Sequence, residues 1–196
     1  MKTVVGFLSR AHGLNALNAL VNSDRYKLKA VYTHALNPRS QDPKRGKRID
    51  YDQYVRICSE GNIPLFAIDS KDQKIEVPEC DFIVEISWRY LIPEYIVKKA
   101  RLAAFGIHRG KLPEYAGAEP IKQALMKNEN EIILSAHYLV PIIDHGETII
   151  SVSHPVNYDS SASFDDNIQR LRDEITPLFS KIMFMTFKIF ESQVRT

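Results

Sequence analysis

Short apolar runs alternate with amphipathic stretches along the first half of the chain. TVVGFL (Thr3 to Leu8) is nearly all apolar and starts with β-branched residues, which predicts a buried strand. RAHG then turns the chain into a helix with Leu14, Leu17, Leu20 and Val21 on one face. LKAVYT (Leu28 to Thr33), IPLFAI (Ile63 to Ile68), CDFIVEIS (Cys80 to Ser87) and AAFGI (Ala103 to Ile107) predict four more strands. Between them, YDQYVRICSEGN reads as a helix ended near Gly61 and Asn62, and PEYIVKKA as a short helix opened by Pro93. Strands and helices in this alternation argue for βαβ crossovers and a parallel sheet.

The second half changes pattern. IKQALMKN after Pro120 is helical, whereas EIILSAHYLV and ETIISVSHPV alternate weakly and read as an antiparallel pair joined by PIIDHGE. In the tail, Ile168, Leu171, Ile175, Leu178, Ile182, Met185 and Ile189 recur at steps of three and four, a core-facing or coiled-coil stripe. Pro177 interrupts it, so a kink is expected there, or a restart capped by Thr176. Phe184, Phe187 and Phe190 lie beside the stripe and leave room for a homodimer contact. The predicted fold is therefore α/β and Rossmann-like. It has a mostly parallel sheet, an antiparallel C-terminal strand pair and a long C-terminal helix, in one domain over residues 1–196.

Composition narrows the functional classes. The 26 basic and 24 acidic residues nearly cancel, which argues against a general nucleic-acid binder. The dense basic stretch PKRGKR (Pro43 to Arg48) lies in a polar loop from Asn37 and reads as a solvated, mobile segment. Cys58 and Cys80 form no CxxC pattern, so a reducing, cytoplasmic setting is expected. The amino-terminal apolar run is too short for a signal peptide or a membrane span.

Ligands of parallel sheets bind beyond the carboxyl ends of the strands. His108 sits at such an end, and so does SWR, from Ser87 to Arg89. In PIIDHG, Asp144 is flanked by Ile142, Ile143 and Gly146, so its carboxylate is expected to be partly buried. A His108–Asp144 pair in a cleft suits proton transfer near neutral pH, and His137 on the preceding strand could reach the same loop. Alternatives stand beside this reading: Asp144 as a turn cap, His137 as a satisfied core histidine, and His108, His137 and Asp144 as metal ligands. The spacing has neither HxxxH nor HExxH, and no GxSxG elbow signals a serine hydrolase, so no metal is expected.

GIHRGKLPEYAGAEPI, AHYLVPIIDHGETI and the upstream ISWRYLIP together resemble the formyltransferase family. This family includes the glycinamide-ribonucleotide, methionyl-tRNA and amino-sugar enzymes. Its pattern of Asn-x-His, a Leu-Pro loop and Gly-x-x-Pro is met by His108, Leu112, Pro113, Gly117 and Pro120. Its later His-x-x-x-x-x-x-Asp-x-Gly is met by His137, Asp144 and Gly146. The resemblance implies that a primary amine attacks the formyl carbon of formyl-tetrahydrofolate, the co-substrate. His108 would stabilise the oxyanion or shuttle a proton, and Asp144 would hold and charge the imidazole. The family asparagine, a donor to the oxyanion, is replaced here by Gly106.

The resemblance also implies where ligands bind. The pterin is expected along Trp88, Arg89, Tyr90 and Leu91 and along Leu139, Val140, Pro141, Ile142 and Ile143. Trp88 packed in the core is the competing reading. SRAHGLN after the first strand lacks the Gly-x-Gly-Ser phosphate turn of glycinamide-ribonucleotide enzymes, but Arg10 and His12 could still hold an anion there. With 196 residues there is no room for the extra domain of the tRNA enzymes, so the expected acceptor is a small molecule. An amino sugar on a nucleotide is preferred, with Arg10, His12, Lys111 and Tyr115 as contacts. A glycinamide-ribonucleotide-type enzyme is the alternative. A second alternative is a degenerate module that binds folate or nucleotide without efficient transfer.

Overall fold

The computed structural model describes residues 1–193. The chain divides into two compact units, Met1–Ala104 and the part from Phe105 onward.

In the first unit, β1 (Lys2–Leu8), α1 (Arg10–Val21), β2 (Tyr26–Thr33), α2 (Tyr51–Glu60), β3 (Leu65–Ala67), β4 (Cys80–Ile86) and α3 (Glu94–Val97) follow in order. The strands lie in the order β3-β2-β1-β4, and β1–β2, β1–β4 and β2–β3 all pair in parallel. The run of apolar residues in β1 is what such a central strand needs, and Val4, Val5, Phe7 and Leu8 are all inaccessible to solvent. Phe7, Tyr32 and Phe66 are partners in register and stack across β1, β2 and β3, with centroids 4.8 and 5.1 Å apart. Gly13 lets α1 approach β1 closely: a Cβ there would stand 2.7 Å from the Tyr54 hydroxyl and 2.9 Å from the Leu8 carbonyl carbon.

Pro43, Lys44, Gly46 and Lys47 of the basic loop are exposed as expected, whereas Arg48 departs from a solvated segment. Arg48 is 4% exposed; its guanidinium bonds Ser9 Oγ and the His34 carbonyl and pairs with Asp50 at 2.6 Å. A buried guanidinium that pins two strand ends is a structural clamp, and its pairing with Asp50 offsets the cost of burying the charge.

The strand β5 (Ala100–His108) crosses from the first unit into the second. The second unit continues with α4 (Pro120–Met126), β6 (Glu131–Tyr138), β7 (Thr148–Pro155) and α5 (Phe164–Gln193). β5 pairs antiparallel with β6, and β6 antiparallel with β7. The α/β class, the parallel first half, the antiparallel pair and the long final helix all agree with the sequence pattern.

The register of α5 does not follow a heptad. Its buried positions are Asn167, Ile168, Leu171, Ile175, Phe179, Ile182, Met183, Thr186, Phe187 and Phe190, while Leu178, Met185 and Ile189 are only partly buried. Ile168, Phe179 and Phe190 recur at eleven-residue steps, the drift of a straight 3.6-residue helix lying on β6 and β7. Phe187 and Phe190 are therefore core residues, packed edge-on against Phe105 and Tyr138, and are not available for a dimer contact. Pro177 lies within one continuous helix rather than at a restart, and the Thr176 hydroxyl donates to the Arg172 carbonyl instead of capping. No helix among the described residues is long and apolar enough to cross a membrane.

Candidate active site

Four sequence-predicted residues meet in the second unit. β5 ends at His108, and the antiparallel register sets Gly106 opposite His137 and His108 opposite Ser135. β6 and β7 slip register between Ala136 and His137, an irregularity that re-aims side chains at strand ends. The chain then turns through Asp144, whose φ of 56° is in the left-handed region that aspartate tolerates better than most residues. Gly146 makes this turn possible because a Cβ there would lie 1.7 Å from the Tyr138 carbonyl oxygen.

Asp144 bridges two imidazoles. Its Oδ2 is 3.3 Å from His108 Nδ1 and accepts from the Gly117 N–H at 3.0 Å, and its Oδ1 is 3.6 Å from His137 Nε2. The side chains are 9%, 12% and 3% exposed for His108, Asp144 and His137, so their mutual electrostatics are weakly screened. Each imidazole donates its other N–H to the main chain: His108 Nε2 to the Tyr115 carbonyl at 2.6 Å, and His137 Nδ1 to the Tyr138 carbonyl at 3.1 Å. A neutral His108 or His137 then turns a lone pair toward the carboxylate. Each contact becomes attractive only when a proton occupies it.

Burial pulls both imidazoles below their ordinary pKa, while the Asp144 charge and the carbonyl bonds pull them up. Burial prevails, so both titrate below the ordinary imidazole range, and the cluster holds and releases protons there as acid–base catalysis requires. Gly110 seals it from behind, because a Cβ there would stand 2.9 Å from both His108 Nε2 and the Tyr115 oxygen. Among the described residues, no group of three or more His, Cys, Asp and Glu is arranged to hold a metal ion.

Lys111 and Tyr115 line a separate cavity of about 200 Å³ with Arg109, Gly110, Pro120 and Ala124, and neither His108 nor Asp144 is among its walls. The Tyr115 hydroxyl donates to Glu129, and Lys111 pairs with Glu114 at 3.1 Å. Of the segment 139–143, Pro141, Ile142 and Ile143 are exposed and Leu139 and Val140 partly buried.

In the first unit, Arg10 has a left-handed φ of 58° and donates to Gln41, and His12 is buried within α1. Trp88 is half-buried, stacked on His34 at 4.1 Å and edge-on to Phe7 at 5.0 Å. His34 escaped the sequence reading because, unlike His108, it is framed by no motif in the sequence. It is fully buried, its Nδ1–H donates to the Ile68 carbonyl, and its Nε2 accepts the Arg89 main-chain N–H at 3.2 Å. His34 therefore holds the Trp88–Arg89 backbone in place.

Burial lowers the His34 pKa to about 3. Because the folded state binds this proton more weakly than the unfolded chain, stability is complete above the ordinary imidazole range. It is lost as pH falls below it, at about 1.4 kcal/mol per pH unit. Thermal melts at pH 7.5 and pH 5 should show a wild-type loss of about 2 kcal/mol from this group. His34→Gln, which cannot take up the proton, should flatten that difference.

The formyl transferase family model matches residues 15–180 of this chain. The chain belongs to the formyl transferase family, and it is an enzyme of the formyltransferase type. Among solved structures, glycinamide ribonucleotide transformylase 1 from Symbiobacterium toebii superposes with a TM-score of 0.72 at 15% identity, covering 98% of this chain and 89% of that one. A 4-N formyltransferase from Francisella tularensis superposes at 0.63 with 17% identity, covering 95% and 69%. The sugar 3N-formyl transferase WlaRD, solved with dTDP and 5-N-formyl-THF, superposes at 0.59 with 15% identity, covering 96% and 63%. At these identities the likeness establishes the fold.

Proposed function

We propose that the protein transfers a formyl group from formyl-tetrahydrofolate to a primary amine of a small molecule, most favourably an amino sugar carried on a nucleotide. The observation that carries this reading is the Asp144 carboxylate set between His108 and His137 at the end of β5, in a chain of this family. The acceptor nitrogen attacks the formyl carbon, and the bond from that carbon to the folate nitrogen breaks. One proton leaves the amine and one arrives on the folate nitrogen, so the site has to move protons but gains none overall. His108, held by Tyr115 and charged through Asp144, serves that exchange. Within the first unit, Trp88, Tyr90 and Leu91 offer aromatic and apolar contacts for a flat ring.

The acceptor is tested by presenting formyl-tetrahydrofolate with a nucleotide-linked amino sugar and, separately, with glycinamide ribonucleotide. Faster transfer to the amino sugar is expected, and the reverse preference would favour the glycinamide-ribonucleotide reading. Binding is tested separately with 5-formyl-tetrahydrofolate, which at a hundred times its Kd should stabilise the protein by about 2.7 kcal/mol. No stabilisation at millimolar ligand would remove folate from the reading. Gly106 favours a second reading, a module that binds folate or nucleotide without efficient transfer. Stabilisation without transfer to either amine would select it.

A further inference from the structure

Gly106 has no side chain with which to donate to an oxyanion, yet it faces His137 directly across the β5–β6 pair. Opposed residues of an antiparallel pair put their side chains on one face, with Cβ positions roughly 4.5–5.5 Å apart. An asparagine at 106 would place its amide beside this imidazole. With glycine there, a ring from the facing strand can lie over the backbone, as cross-strand aromatics do over glycines.

His137 has the features of a group taking over that position. It is 2% exposed, and its Nε2 is buried without a hydrogen-bond partner among the described residues. The bond from Nδ1 to the Tyr138 carbonyl fixes the ring, so that Nε2 is the nitrogen turned to Asp144 Oδ1 at 3.6 Å. His108 Nε2 bonds the Tyr115 carbonyl, and its Nδ1 stands nearer the same carboxylate, at 3.3 Å. An unpaired nitrogen in so enclosed a place is costly to leave unmatched and signals a partner that arrives with the reaction.

We infer that His137, through a proton on Nε2, supplies the hydrogen-bond donor that Gly106 lacks. At rest this proton faces Asp144 Oδ1 at 3.6 Å. As negative charge builds on the formyl oxygen the Nε2–H is shared with that oxygen, stays on Nε2, and faces Asp144 alone again when the intermediate collapses. This inference rests on the formyl-transfer reading above.

The substitutions separate the two ring nitrogens. A glutamine amide nitrogen falls where Nε2 is, and an asparagine amide nitrogen where Nδ1 is. Transfer from formyl-tetrahydrofolate to hydroxylamine, used as a generic amine, is measured for His137→Gln, His137→Asn and His137→Ala, each with Gly106 or with Gly106→Asn, alongside thermal melts. Loss of one oxyanion donor typically slows reaction by about a hundred- to a thousandfold. That loss is expected for His137→Asn and His137→Ala with Gly106 intact, while His137→Gln stays within about tenfold of wild type. In the Gly106→Asn background, His137→Ala should cost less than about tenfold, because the amide has been restored.

If His137→Gln is as slow as His137→Ala, or if His137→Asn is the better variant, the ring only holds Tyr138 and the inference is wrong. Should Gly106→Asn fail to fold, the glutamine–asparagine comparison decides alone. No transfer by the wild type to any amine overturns the formyl-transfer reading itself, and this role with it. Transfer by the wild type that is indifferent to His137 overturns only this role.

Discussion

Gly146→Ala is expected to lower the melting temperature by about 6–12 °C and to eliminate formyl transfer. A Cβ at this position would come within 1.7 Å of the Tyr138 carbonyl oxygen, a main-chain atom that no rotamer change can move aside. The Tyr138 N–H also bonds the Glu147 carbonyl, so the clash opens the pairing that closes the loop between β6 and β7. Forcing backbone apart in this way costs about 3 kcal/mol or more, and each kcal/mol is worth roughly 2–4 °C in a chain of this size. Activity falls further than stability because Asp144 is two residues away and holds its bridge only while the loop keeps its turn. Differential scanning calorimetry and a transfer assay below the variant's melting range check both parts. A melt within a degree of wild type would contradict the close approach on which the site's geometry rests.

Asp144→Asn should fold normally and lose about a hundred- to ten-thousandfold in kcat, the usual worth of a positioned acid–base system. The amide keeps an acceptor for the Gly117 N–H, which preserves the loop. It removes the charge that holds up the protonated forms of His108 and His137 against burial. The protonated imidazole is present below its pKa, so wild-type activity should decline as pH rises through a value below the ordinary imidazole range. In Asp144→Asn that decline should move to still lower pH. A limb that stays in place, or activity that rises with pH over this range, would mean that the reaction uses a neutral histidine.

The sequence exposed the fold and the site to different depths. Strands of the first unit were legible because β-branched and aromatic runs such as VVGFL and DFIVEI have little other use. Of the two readings of the α5 stripe, core-facing and coiled-coil, the core-facing one holds, but Leu178, Met185 and Ile189 are apolar and face only half inward. Apolar identity does not distinguish a 3.5-residue from a 3.6-residue spacing over so short a span. His108, His137 and Asp144 were found through motif order, and their convergence depends on the β5–β6 register and on the turn at Asp144. Arg48 and His34 went unrecognised because a buried cation and a lone buried imidazole look, in one dimension, like ordinary loop residues. Their partners lie at distant positions: Ser9 for Arg48, and Ile68 and the Arg89 backbone for His34.

The ring stacked on His34 belongs to Trp88, the one tryptophan in the chain. Its fluorescence therefore reports on a single short stretch of backbone. A protonated imidazole quenches indole emission far more strongly than a neutral one, so emission should stay level through the range where ordinary histidines titrate. It should drop only near the value of about 3 to which burial pushes His34. Any flat ligand that settles on residues 88–91 would register in the same signal with no label attached, giving a direct optical titration of the first unit.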